Sequence, residues 1–288
     1  MNRRLLLASL VALAPSAASC RRTSAFSKDG QGARVVSLAP SITETLFAIG
    51  AGSHVVAVSD YCDSPEQVKG LPRLGTGLTP NYEGIARLAP TLIVTEANAS
   101  ARRRELEAIG PTRLLPWLSL SEICGSIREL GRLTATTRAA DSLSERILVR
   151  LNVAEPVEGP RVLLVLGGES PASDEIWFVR KNSLHGAALH AAGARNAVPE
   201  AVNGPPQLAH ERLLALDPDA ILVLAKPRQG IMPSRQSVTS LSRFTTLRAV
   251  RASKIELLEA PEAFANGPRI LGLVDKLHAS LRRLGVLP

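Results

Sequence analysis

RVVSLAPSITETLFAIGAG, residues 34–52, reads as one strand, turn and helix. Arg34–Leu38 is a β-branched run of strand length. Pro40 ends it, because proline cannot donate a ladder hydrogen bond. Ser41 or Thr43 is placed to cap the following helix, and Glu44 sits three residues after Ser41, the capping-box spacing. Ile42, Leu46 and Ile49 fall on one helical face, and Gly50 and Gly52 stop the helix. The turn thus presents Pro40, Ser41 and free backbone N–H groups at the carboxyl end of a strand, the edge where open α/β sheets bind ligands. Many α/β domains begin this way, so alone the pattern is equally that of a unit that only builds core.

With 288 residues and 45% hydrophobic content, the chain can bury the core of one large domain or two lobes. Aromatics make up only 3%, so each aromatic in a pocket carries weight. Residues 1–20 read as an export signal. Arg3 and Arg4 precede the run LLLASLVALA, which is too short to span a bilayer, and small residues follow up to Cys20. Ala17-Ala18-Ser19-Cys20 resembles a lipobox with Ala17 where leucine is usual, which makes Cys20 a lipidation candidate; the alternative is a plain signal cut nearby. Residues 21–33 are polar, Gly-rich and aperiodic, as in a tether. The net charge of +8 is scattered, and Arg102-Arg103-Arg104 lies beside Glu105 and Glu107, as on a solvated helix face. No basic stripe is interleaved with aromatics, so nucleic acid is not an expected partner. Cys62 and Cys124 are either a disulfide of an oxidising compartment or two free, part-buried thiols, and spacing does not decide between these.

Strands are predicted at 34–38, 55–59, 91–95 and 112–115, with helices at 42–49, 82–88 and 101–109. This βα alternation implies a mostly parallel sheet. A short helix at 121–133 precedes a longer one at about 136–154, roughly 28 Å long. A second series follows, with strands at 161–166, 220–224 and 254–258 and helices at 184–192, 208–216 and about 263–284. The two series repeat: Glu83, Leu88 and Pro90 match Glu211, Leu216 and Pro218 at a constant offset of 128, and an apolar strand follows each. Two similar α/β lobes joined by the long helix, with a ligand cleft between them, are therefore expected. Glu83 and Glu211 each open a helix, where a carboxylate favours the helix dipole. As a matched pair, one per lobe, they also suit a membrane partner with two arginines.

RVVSLAPSITETLFAIGAG, VVAVSDYCDSP (55–65), LPRLGTGLTPNYEGIARLAPTLIV (71–94) and HERLLALDPDAILVL (210–224) together resemble the periplasmic substrate-binding proteins with a single interlobe helix. These serve ABC importers of cobalamin, ferric siderophores and haem. The resemblance runs from Arg34 to the end of the chain and is strongest toward the cobalamin binders. It implies an N-terminal lobe at 34–120, connecting helices at 121–158 and a C-terminal lobe at 159–288. It also implies a corrinoid ligand, an ABC permease dimer with its ATPase as partner, a periplasmic and lipid-anchored location, and a monomer without covalent cofactor or resident metal. By motif position, Glu83 and Glu211 are the permease-docking glutamates. Tyr61 and Trp177 match cleft aromatics, and two further cleft tryptophans appear here as Gly77 and Pro205, which implies a wider or less aromatic pocket. Pro40, Ser41, Asn81 and Glu96 complete the expected ligand-binding set. For haem, Tyr61, His185 and His210 are the candidate ligands.

Other classes find less support. No G-x-S-x-G elbow is present, and Glu96 at a strand end is the best candidate for a general base. His185 and His190, at spacing five, do not share a helix face as a metal pair would. A sensor built on the same fold is a third possibility, and a neighbouring permease gene would argue against it.

Overall fold

The computed structural model describes residues 33–154, 156, 158–167, 176–227 and 234–288. The export signal, Cys20 and residues 21–32 of the tether lie outside the described residues.

In chain order the elements are β1 (Val35–Ser37), α1 (Pro40–Ala48), β2 (Val55–Val58), α2 (Tyr82–Arg87), β3 (Leu92–Glu96), α3 (Arg103–Glu107), β4 (Thr112–Leu115), α4 (Leu120–Leu133) and α5 (Thr137–Leu151). Then come β5 (Arg161–Leu166), β6 (Ile176–Trp177), α6 (Leu184–Ala191), β7 (Arg195–Asn196), β8 (Gln207–Leu208), α7 (His210–Leu216), β9 (Ala220–Ala225), α8 (Ser234–Ser242), α9 (Arg248–Arg251), β10 (Ile255–Glu259) and α10 (Ile270–Arg283). One sheet has the order β2-β1-β3-β4 and the second β7-β5-β9-β10, with every pairing parallel. The two orders are the same. The fold is therefore α/β, with two similar parallel-sheet lobes; β6 and β8 form a small antiparallel ribbon on the second.

The inner strands β1, β3, β5 and β9 are buried on both faces, which is why they read as continuous apolar runs. Val35, Leu92 and Val94 share a core with Ile42 and Leu46 of α1, with Ile127 and Ile147 of α4 and α5, and with Leu164, Leu222 and Leu277 of the second lobe. That core runs unbroken through both lobes. The opposite face of the first sheet packs on Ile85 and Leu106, and that of the second on Leu213, Leu216 and Leu241.

The repeat extends to backbone detail. Ala89 and Asp217, again 128 apart, both take left-handed backbone, with φ of 43° and 39°. Each lets a short helix turn into a proline and a buried strand. The arginine that opens each first strand fastens this turn. Arg34 donates to the Leu88 carbonyl oxygen, and its backbone N–H donates to Thr91 Oγ1 at 2.8 Å. Arg161 donates to the Asp217 carbonyl oxygen at 2.7 Å, and its backbone N–H donates to Asp219 Oδ2 at 2.8 Å.

Three local expectations are corrected. The residue capping α1 is Ala39, with Pro40 as first helical residue, and neither Ser41 nor Thr43 caps the helix. Proline pre-sets the helical φ and lacks the N–H that would need a cap. The Ser41 and Glu44 side chains are thereby released to act elsewhere. The lobes are linked by a pair of helices of nearly equal length, α4 with 14 residues and α5 with 15, rather than by a short helix and a longer one. The two approach so closely that a Cβ on Gly131 would collide with Ala140. Finally, α10 begins at Ile270, not near residue 263. Gly267-Pro268 interrupts the helical pattern, and the irregular segment 261–269 reaches the other lobe.

Candidate functional site

Four cross-lobe contacts orient the lobes. Lys226, just past β9, pairs with Asp63, in the loop after β2, at 2.8 Å. Arg269 donates to Glu44 Oε1 at 2.5 Å and lies 3.7 Å from Asp63. Trp117, just past β4, donates its indole N–H to the Asn266 carbonyl oxygen, beyond β10, at 2.5 Å. All but Glu44 and Arg269 follow the carboxyl ends of strands, so the two sheets turn those ends toward each other. In each sheet the strand order reverses between the first strand and its inner neighbour, β1 beside β3 and β5 beside β9. Such switch points are where open α/β sheets bind ligands.

At the first switch point the structure joins two of the sequence candidates. Ser41, 4% exposed, donates its hydroxyl to Glu96 Oε1 at 2.5 Å, and Asn98 donates to Glu96 Oε2 at 3.2 Å. Burial lifts the Glu96 carboxyl above its ordinary value, against these two bonds, which favour the ionised form. Pro40 lies beside this pair, half-buried, at the start of α1. Gly77 closes the same corner. A Cβ there would strike Thr95 Oγ1 and crowd Ala99 Cβ at 3.2 Å, so these two side chains take up the space beside it.

The two candidate aromatics are both solvent-exposed. Tyr61, in the loop after β2, is 73% exposed. Trp177, in the β6–β8 ribbon, is 40% exposed, and its neighbour Phe178 bridges to Val165 at the end of β5. Each lobe thus carries one large exposed aromatic near the carboxyl end of its sheet. Asn81 is occupied otherwise: its side chain caps α2 by accepting from the Gly84 N–H at 3.0 Å.

Glu83 and Glu211 are both exposed, each at the second residue of its helix, α2 or α7. Glu83 pairs with Arg87 one turn on at 2.6 Å. That pair is exposed on both sides, a geometry worth only a few tenths of a kcal/mol, ~0.3–0.5.

Of the histidine candidates, His185 is overturned as a cleft ligand. His185 is buried, its Nε2 donates to the Ala263 carbonyl oxygen at 3.0 Å, and burial lowers its pKa to about 4, so it is a neutral core residue. His210 stacks at a tilt on Phe244, with ring centroids 4.9 Å apart. Cys62 and Cys124 are both free and buried, which decides that question in favour of two thiols. Among the described residues no group of three or more His, Cys, Asp or Glu is placed to hold a metal ion, and no helix is long and apolar enough to cross a membrane.

Sequence reasoning missed the cross-lobe residues Glu44, Asp63, Trp117, Lys226 and Arg269. A lysine at the end of the buried run AILVLA was a usable signal. Glu44 was masked by its capping-box spacing, and nothing in the sequence pairs it with a residue 225 positions away.

Comparison with known proteins agrees with this architecture. An uncharacterised ABC transporter substrate-binding lipoprotein, YvrC of Bacillus subtilis, is 26% identical over 258 residues, covering 86% of this chain and 79% of its own. The vitamin B12-binding protein of Salmonella choleraesuis is 26% identical over 199 residues, covering 67% of this chain and 73% of its own. Among solved structures, the periplasmic haem-binding protein BhuT in complex with two haems superposes with a TM-score of 0.71 at 23% identity, covering 88% of this chain and 99% of that one. The profile of the periplasmic binding protein family matches residues 35–261, well over half the chain, and the protein belongs to that family.

Proposed function

We propose that the protein is the extracytoplasmic substrate-binding component of an ABC import system, which captures a corrinoid between its lobes and delivers it to a membrane permease. The observation that carries this reading is the pair of exposed aromatics, Tyr61 and Trp177, one at the carboxyl end of each sheet. Each offers a large, stiff apolar face with a polar handle, suited to a broad ring system. The family assignment and the two relatives support the transport role, and the B12-binding relative favours a corrinoid. In this reading the lobes are 34–120 and 159–288, and no catalytic step is assigned.

Glu83 and Glu211 are the docking residues. A helix that leads into a parallel strand runs back along the sheet, so its N-terminus lies level with the carboxyl ends of the strands. Both glutamates therefore sit at the cleft rim, one per lobe, placed to meet two permease arginines. Cys20 carries the lipid anchor, as the lipoprotein relative suggests, and the protein acts as a monomer.

The test is absorbance titration and native mass spectrometry of the purified protein with cyanocobalamin, haemin and a ferric siderophore. Stoichiometric binding of the corrinoid alone is expected, and binding of none of the three refutes the reading. The phenol of Tyr61 favours haem as the second reading, since a tyrosine oxygen can bind haem iron. Haem capture abolished by Tyr61→Phe would establish it in place of the first.

A further inference from the structure

Lys226 lies at the carboxyl end of β9, beside the second lobe's switch point. It follows β9 directly and is half-exposed. Its ion-pair partner is Asp63, from the opposite lobe, two residues beyond Tyr61. The two ends of this pair are not equivalent. Asp63 has a second cation, Arg269, at 3.7 Å, whereas Lys226 has no other carboxylate among the described residues. The pair is also solvent-accessible, with side-chain exposures of 56% and 40%. Such a pair is worth no more than about 1 kcal/mol. Breaking it leaves Asp63 compensated by Arg269 and leaves Lys226 with an unspent charge inside the cleft.

From this asymmetry we infer that Lys226 is the anion-recognising residue of the cleft, and that Asp63 is a resident counter-ion which an oxyanion of the ligand displaces. The chemical class is a large ring system bearing a carboxylate or phosphate at its edge. The ring rests on Tyr61 and Trp177 while the oxyanion reaches Lys226. The exchange conserves charge balance: one carboxylate leaves the ammonium, one oxyanion arrives, and Asp63 stays with Arg269. The charges of Lys226 and Arg269 already outweigh the effect of burial on Asp63 and hold its carboxyl below the ordinary value, so it remains ionised and a true competitor at neutral pH. This inference rests on the proposed cleft ligand.

The experiment uses matched ligand pairs that differ in the oxyanion. Cyanocobalamin carries a phosphodiester that dicyanocobinamide lacks, and haemin carries carboxylates that its dimethyl ester lacks. Affinities are measured for the wild-type protein, Lys226→Met and Asp63→Asn. Lys226→Met should weaken the anionic member of the bound pair five- to ten-fold and leave the neutral member unchanged. Asp63→Asn should tighten the anionic member two- to five-fold by freeing Lys226, and that gain should shrink in high salt. The pair that shows the effect identifies carboxylate or phosphate. Equal wild-type affinity for both members, or equal loss for both in Lys226→Met, overturns the inference while the cleft reading stands. Wild-type binding of no member of either pair overturns both. Weaker anionic binding in Asp63→Asn also overturns the exchange, because it would make Asp63 a structural prop.

Discussion

Arg269→Met should loosen the two lobes from each other. Arg269 lies at the foot of α10 in the second lobe, and Glu44 lies on α1 in the first. Glu44 is only 7% exposed, and its Oε1 accepts from Arg269 at 2.5 Å. Among the described residues its Oε2 is buried without a partner, and Arg269 supplies its only ion pair. Removing one member of a buried pair strands the other and costs ~3–5 kcal/mol. The Arg269 side chain is 29% exposed, which lets water reach the stranded carboxylate in part and places the loss at the low end, about 3 kcal/mol. The lost bond to the Pro261 carbonyl oxygen adds about 1 kcal/mol. The assay is urea unfolding of wild type, Arg269→Met, Glu44→Met and the double variant. Both single variants should be destabilised, and the double should recover about 2 kcal/mol or more of their summed loss, because two apolar side chains replace a pair that was costly to desolvate. Strict additivity, or a loss below about 1 kcal/mol in Arg269→Met, would refute the argument that this pair fastens the lobes.

Other outcomes are expected from the same geometry. Trp177→Ala should weaken ligand binding by about ten-fold or more in the absorbance titration, as aromatic truncation at binding sites costs above ~1 kcal/mol; unchanged affinity would remove Trp177 from the cleft. Glu83→Arg with Glu211→Arg should abolish transport in reconstituted vesicles, because like charges then meet the permease arginines. Ligand affinity of that double variant should be unchanged, and its stability should fall by about 1–2 kcal/mol, from the exposed Arg87 pair and the two helix-dipole interactions. Glu96 has a folded pKa raised above its ordinary 4.5. Its contribution to stability is therefore fully present below pH 4.5 and is lost as pH rises through the raised value. Glu96→Gln should accordingly flatten the dependence of Tm on pH above 4.5 and raise Tm at neutral pH, as thermal melts across that range would record.

The α/β class, the helix–proline–strand repeat and the outer placement of Glu83 and Glu211 follow from the sequence alone. Each is local: an apolar strand, a short helix or a helix start is set by residues within a few positions of one another, and a constant offset makes the duplication visible. The repeat even contains, unseen, the left-handed turns at Ala89 and Asp217. What only the tertiary structure decided is the use of the polar side chains. Ser41 and Glu44 have ideal capping spacing, yet Pro40 makes the cap unnecessary and both side chains reach distant partners, Glu96 and Arg269. The Asn81 side chain caps α2, and His185 is taken by the core. The lobe-to-lobe contacts of Asp63, Trp117, Lys226 and Arg269 have no local signature. A hydrogen bond or ion pair needs its two atoms at ~3–4 Å, a condition that chain separations of more than a hundred residues meet only once the sheets have turned their carboxyl ends toward each other.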